Sequence, residues 1–270
     1  FKYWKRQIRP YNMMTKWGII PENDRVKNNI SVQVKISRKI TENLFKMAEI
    51  AVIEHNFTVN DVLLTALTKA LTDLYDKNEI TVLLESHGRE NSIVNCDLSR
   101  TAGWFMVMYP VRFEFSDISD CLKMLDEVRT VLKRVPDNGI GYGILKYMSG
   151  ELNDTQKYVR FNYLGNVTGR HEESRIKKVI PDFCFNSDKE NINTCLIDVN
   201  CIRLDDCITA SFESSGLFMD KHKLEELASN FEADLNELIN KYCNSNGERT
   251  FLSKFTAVSL SNSDFNDLFE

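Results

Sequence analysis

Hydrophobic and polar positions follow two periods along the chain, and each period predicts a type of element. Apolar residues at every second position, together with short apolar runs, predict strands over 30–36, 79–86, 103–115 and 158–165, and a hairpin over 195–213. Pro110 lies inside the third strand and indicates an edge strand or a bulge, because proline cannot donate a ladder hydrogen bond. Asp205 and Asp206 mark the turn of the hairpin.

The second period has apolar residues three and four positions apart, and it predicts amphipathic helices near 41–55, 59–75, 119–134 and 220–242. Thr58 and Asp61 resemble a capping box at the start of the second helix. Helices and strands alternate irregularly, and one strand pair is a hairpin. This order predicts an α/β sandwich in which helices cover a mixed sheet. We expect one packed unit over 1–243 and a polar tail or linker toward a further domain over 244–270.

Composition narrows the class of protein. The 270 residues carry a net charge of −5, which excludes the basic footprint of a nucleic-acid-binding protein. The longest apolar runs, such as 106–111, are too short to span a bilayer. Seven cysteines form no C-x-x-C pair, so we expect reduced, mostly buried thiols, no metal and a cytoplasmic location.

Groups that can exchange or hold protons are concentrated at the end of the strand at 79–86 and in the residues that follow it. Glu85, His87 and Arg89 fall within five residues, and a second dense patch runs from Arg100 to Trp104. Strand alternation places Glu85 and His87 on one side if the strand continues that far. Two interpretations of the residues stay open: an acid–base site, or a structural ion pair between Glu85 and one of the two arginines.

Four blocks of sequence stand in a fixed order, and together they resemble the epimerization domain of nonribosomal peptide synthetases. The blocks are "ESHGRE" (85–90), "DLSRTAGWFMVMYPV" (97–111), "VPDNGIGYG" (135–143) and "FNYLG" (161–165), against the usual EGHGRE, DLSRTVGWFT-x-x-YP, P-x-x-G-x-GYG and FNYLG. "YWK" at 3–5 and "NDVLLTAL" at 60–67 also fit that family. The resemblance covers nearly the whole chain and implies one lobe of a fold like that of chloramphenicol acetyltransferase. Ser86 departs from the usual glycine.

The same family carries a His-His-x-x-x-Asp-Gly motif in its first lobe. This chain has four histidines, no two of them adjacent. By resemblance, 1–243 is the C-terminal lobe only, the motif is expected upstream of Phe1, and this lobe alone is expected to be inactive.

The resemblance implies inversion of the α-carbon of an aminoacyl or peptidyl thioester. No cofactor is implied on the chain itself, since the substrate rides on the phosphopantetheine of a partner carrier domain. Glu85 is implied as one acid–base group, with the second histidine of the missing N-terminal lobe as the other. Asn162 and Tyr163 are implied near the reaction centre, although alternation lets at most one of them reach it. Tyr163 is alternatively a core aromatic.

His87, Arg89, Arg100 and Trp104 are implied in binding the substrate and its pantetheine arm. The alternative is that Arg100 holds the loop over 83–110 while Trp104 packs in the core. Two other functions stay open for the chain as a whole: half of a condensation domain that forms peptide bonds, and a non-catalytic module that docks a carrier domain. "SRT-x-GWF" and "FNYLG" favour epimerization, because condensation domains usually lack these forms.

Overall fold

The computed structural model describes residues 1–9, 23–54, 57–89, 97–98, 100–166, 188–204 and 206–246. Six strands form one mixed sheet in the order β1-β6-β5-β4-β2-β3. The strands are β1 (Asn29–Lys35), β2 (Glu79–Ser86), β3 (Val107–Glu114), β4 (Val159–Asn166), β5 (Ile197–Leu204) and β6 (Cys207–Ser215). β4 pairs in parallel with β2 and β5, and the other pairs are antiparallel. The predicted mixed α/β class is confirmed.

Six α-helices accompany the sheet within these ranges: α1 (Lys2–Gln7), α2 (Arg38–Glu54), α3 (Val59–Tyr75), α4 (Cys121–Lys133), α5 (Ile140–Gly143) and α6 (Lys221–Asn246). The predicted capping box starts α3. Thr58 Oγ1 accepts from the Asp61 backbone N–H at 3.3 Å, and Asp61 Oδ2 accepts from the Thr58 N–H at 2.8 Å. Together the two bonds satisfy two backbone donors that a helix start leaves without intrahelical partners.

One face of the sheet carries the hydrophobic core. Leu84 of β2, Phe161 of β4 and Val199 of β5 lie in the same buried cluster as Leu67 of α3 and Phe231 of α6. Burying each large apolar side chain contributes about 1.5–3 kcal/mol, so this face anchors the helices on the sheet. The opposite face carries polar residues at alternate strand positions, and the site described below lies on it.

One predicted strand start is wrong: β3 begins at Val107 rather than at Gly103, and the residues just before it form a loop. α6 ends at Asn246, four residues beyond the helix predicted near 220–242. The division of the chain at residue 243 stays a prediction. Residues 247–270 lie outside the described part of the chain, as does Asp205 of the predicted hairpin turn. β3 is an edge strand, which confirms the interpretation of Pro110.

The described cysteines are less uniformly buried than predicted. Cys121 and Cys201 are buried, Cys195 and Cys207 are half-buried, and Cys243 is exposed; all five are free thiols. Within the described ranges, no group of three or more His, Cys, Asp or Glu side chains is placed to hold a metal ion. None of the helices in those ranges is long and apolar enough to cross a bilayer.

Candidate active site

Glu85 is the second-to-last residue of β2, and its side chain lies on the polar face of the sheet. Its neighbour Leu84 points into the core, and Glu85 therefore points away from it. Neighbouring β4 runs parallel to β2 with Leu84 opposite Phe161, so Asn162 stands beside Glu85 on the same face. Two residues 77 apart in sequence are thereby brought into contact.

The Glu85 carboxylate has two described partners. Asn162 Nδ2 donates to Glu85 Oε2 at 2.7 Å, and Arg160 Nε lies 3.9 Å from Glu85 Oε1. The Glu85 side chain is only 12% exposed. Burial raises the pKa of Glu85 above its ordinary value; Arg160 and the Asn162 hydrogen bond oppose this rise, and Asp198 adds to it. A carboxyl group with a raised pKa is better matched to proton exchange near neutral pH.

The alternative interpretation, an ion pair between Glu85 and Arg89 or Arg100, does not describe this site, because Glu85 contacts Asn162 and Arg160 instead. Arg89 donates to the backbone carbonyls of Leu98 at 2.6 Å and Thr101 at 2.9 Å, and its guanidinium lies 4.4 Å from the Phe105 ring centroid. Arg89 thus holds the loop before β3, the role that the sequence suggested for Arg100. Arg100 itself is exposed.

His87 and Trp104 are exposed at the rim of the site. β2 ends at Ser86, so alternation does not extend to His87, whose Nδ1 accepts from the Arg89 backbone N–H at 3.0 Å. Trp104 is 85% exposed, and the interpretation that it packs in the core is wrong. A large aromatic in solvent beside a cleft is suited to contacting a ligand or partner.

Asn162 and Tyr163 face opposite sides of β4, as alternation predicts. Asn162 lies with Glu85, whereas Tyr163 packs against the hydrophobic core. Burial raises the pKa of the Tyr163 hydroxyl. Of the two residues, Asn162 is the one in contact with the candidate acid–base group.

A turn with three residues in the left-handed backbone region contacts the C-terminal end of β2. Asp137, Asn138 and Gly139 all have positive φ, at 47°, 46° and 92°. Ser86 Oγ donates to the Asn138 carbonyl at 2.8 Å, so the serine that replaces the usual glycine ties β2 to this turn. Gly139 has no room for a side chain, because a Cβ there would lie 1.9 Å from the Tyr109 ring. The first part of the glycine-containing block at 135–143 is therefore a turn with close backbone approach at Gly139, as predicted, and its last four residues form α5.

Sequence reasoning missed three polar residues of the same face: Arg160, Asp198 and Asn200. Asp198 pairs with Arg160 and Asn200 with Asn162 in the register of β4 and β5. The available signal was polar residues at alternate positions of otherwise apolar strands, in "VRFN" and "LIDVN". Glu85, Asn162, Asn200 and Trp104 all line one cleft of about 640 Å³. Glu85 therefore lies at a cleft that is open to solvent.

Comparison with known proteins identifies the family. The family model described as Condensation domain matches residues 1–260. Bacitracin synthase 2 of Bacillus licheniformis is 40% identical over 148 residues, covering 54% of this chain and 6% of that synthase.

Two solved structures share the fold. The epimerization domain from the third module of tyrocidine synthetase B matches with a TM-score of 0.70 and 24% identity, over 84% of this chain and 51% of that one. A four-domain nonribosomal peptide synthetase bound to AMP and glycine matches with a TM-score of 0.61 and 12% identity, over 88% and 19%. The chain thus spans less than a tenth of bacitracin synthase 2 and about half of the solved epimerization domain.

The chain belongs to the condensation-domain family of nonribosomal peptide synthetases, a family of catalytic domains.

Proposed function

We propose that the chain is the C-terminal half of an epimerization domain that converts an L-aminoacyl or L-peptidyl thioester to its D form. The observation that carries this proposal is Glu85: a largely buried carboxylate at an open cleft, held by Asn162, with its pKa raised by burial. The four sequence blocks support epimerization within the family. The fold, which matches about half of a solved epimerization domain, also supports the proposal.

The chemistry requires a proton to leave one face of the α-carbon and another to arrive on the opposite face. In this proposal Glu85 serves one face and a histidine of the second lobe serves the other. Asn162 orients the Glu85 carboxylate through its hydrogen bond. The thioester acidifies the α-proton, and a carrier domain presents it on a phosphopantetheine arm. The exposed Trp104 at the cleft rim is suited to contact that arm.

The test replaces Glu85 by glutamine in the full-length synthetase that contains this domain. The amide keeps the size and hydrogen bonding of the carboxylate but cannot exchange the proton. With the carrier loaded, the rate of appearance of the D-aminoacyl thioester should fall by roughly 10²-fold or more. Loading of the carrier should be unchanged.

Glu79→Gln is the matched control. Glu79 lies on the same strand and the same face, six residues or about 20 Å from Glu85, and pairs with Arg112. It should leave epimerisation near normal. Near-normal epimerisation by Glu85→Gln would end the catalytic assignment. If this variant instead exchanges the α-proton of only one enantiomer with D₂O, the result would support the proposal that Glu85 serves one face of the α-carbon.

The second candidate is half of a condensation domain, and the match to the Condensation domain family favours it. The two functions differ in their products. A condensing domain yields a longer peptide whose acceptor residue keeps its configuration, and an epimerization domain yields a D residue without a new peptide bond. Chiral analysis of the carrier-bound product separates them. A module that only docks the carrier would produce neither change.

A further inference from the structure

A second carboxylate, that of Asp198, binds the arginine beside Glu85. Arg160 donates through Nε to Asp198 Oδ1 at 2.8 Å and through Nη2 to Asp198 Oδ2, which makes a two-pronged ion pair between β4 and β5. The pair is largely buried, with Arg160 26% and Asp198 14% exposed. Arg160 Nε meanwhile lies 3.9 Å from Glu85 Oε1, too far for a hydrogen bond.

This geometry matters because a free guanidinium would bind the nearer carboxylate. The planar guanidinium of arginine can bind one carboxylate at a time in a bidentate geometry, and Asp198 accepts from both Nε and Nη2 of Arg160. Without Asp198, a movement of about 1 Å would bring Nε of Arg160 into hydrogen-bond range of Glu85. A charge-assisted bond there would stabilise the ionised carboxylate and make it a poor proton donor.

No other described charge contacts Glu85 from the elements around it. On its own strand and the loop that follows, His87 bonds to the Arg89 backbone and Arg89 bonds to loop carbonyls. On β3 the residue opposite Glu85 is Met108, which carries no charge. β4 contributes Arg160 and Asn162, and β5 contributes Asp198.

We propose that Arg160 and Asp198 form a positioning pair in which Asp198 holds the guanidinium away from Glu85, so that this carboxyl stays free to exchange a proton with the substrate. The inference rests on the proposed function of Glu85 and adds two residues to it. Neither residue is catalytic, since both act through Glu85.

The test is the pH profile of kcat/KM for epimerisation by the full-length synthetase, measured for three variants in both reaction directions. In Asp198→Asn the released guanidinium binds Glu85, and the midpoint assigned to Glu85 should move down by about one unit or more. In Arg160→Gln the unpaired Asp198 faces Glu85, and the midpoint should move up by a similar amount. The double variant Arg160→Gln/Asp198→Asn should return it to within about half a unit of the original.

The midpoint does not depend on how much of the protein is folded, so partial destabilisation of a single variant does not obscure it. If neither single variant folds, Arg160→Lys decides, because lysine keeps a charge for Asp198 without the planar fork. Its mobile ammonium should reach Glu85 and lower the midpoint.

Glu79→Gln, which disturbs the distant Arg112 pair, should leave the profile unchanged. Unmoved midpoints in the single variants, or in Arg160→Lys where those do not fold, would overturn the pair's role. If Glu85→Gln abolishes epimerisation while these midpoints stay fixed, only this inference fails. If Glu85→Gln stays active, the proposed function itself fails.

Discussion

Gly88 is the position where a single methyl group should disable the site while the core stays folded. Its φ is +61°, and a Cβ there would lie 1.8 Å from the Phe105 backbone oxygen, whereas ordinary contact begins near 3.4 Å. In Gly88→Ala the carbonyl must therefore retreat by about 1.6 Å, the difference between these two distances. The Phe105 ring stacks on Arg89, so the loop that Arg89 holds must move as well.

We expect two separate effects in this variant, one on stability and one on turnover. A left-handed alanine costs about 1–2 kcal/mol of folding free energy. A displacement of more than 1 Å at the site lowers turnover by about 10²-fold. We expect Gly88→Ala in the full-length synthetase to form the D-aminoacyl thioester about 10²-fold more slowly, and the domain to lose only the stability that the backbone strain explains.

Gly150→Ala is the matched control, because Gly150 has a similar φ of +68° and nothing within 4 Å of its Cβ position. It carries the same strain without the clash. Thermal denaturation should show similar stability losses for the two variants, and epimerisation should separate them. Gly88→Ala with activity within about two-fold of Gly150→Ala would refute the argument that the contact with Phe105 positions the site.

Three further predictions follow from other contacts. Ser86→Ala removes the hydrogen bond to the Asn138 carbonyl and should lower the free energy of unfolding by about 1 kcal/mol, measured by urea denaturation. Burial raises the pKa of Asp234 to about 6 from 3.8 despite Lys69 at 3.2 Å, so its contribution to stability falls as the pH rises through that interval. Asp234→Asn should remove this loss of stability with rising pH. The unfolding free energy of the variant minus that of the unmodified protein should therefore rise between pH 4 and pH 6. A difference that stays constant over this range would contradict the raised pKa of Asp234. Trp104→Ala should leave the melting temperature unchanged, since the side chain is exposed, but should raise KM for the carrier-bound substrate; an unchanged KM would remove Trp104 from the binding surface.

Local patterns were enough to predict most of the elements. The capping box at Thr58, the amphipathic α3 and the edge position of the strand with Pro110 all depend on residues within a few positions of one another. Helix and strand periods are set by backbone geometry, which is the same in every protein. The opposite faces of Asn162 and Tyr163 follow from the same rule.

The errors occurred where distant parts of the chain compete. The sequence assigned Gly103 to a strand, but Arg89 binds the carbonyl of that residue and those of the loop before it, so the strand starts later. Core packing was one of two interpretations of Trp104, because its side chain is large and apolar, yet the same loop leaves it in solvent. Neither outcome can be read from spacing alone, because each depends on which donor reaches those carbonyls.

The sequence by itself determined the class of fold, the location of Glu85 at the end of a strand and, through its motifs, the family to expect. Only the tertiary structure decided the partners of that carboxylate. Arg89, four residues away, was one of two candidate partners, but Asn162 lies 77 positions along the chain and binds it. Asp198 reaches Arg160 across 38 positions. Strand pairing brings such residues together, and pairing is chosen by burial of the whole sheet against its helices, which no short stretch of sequence contains.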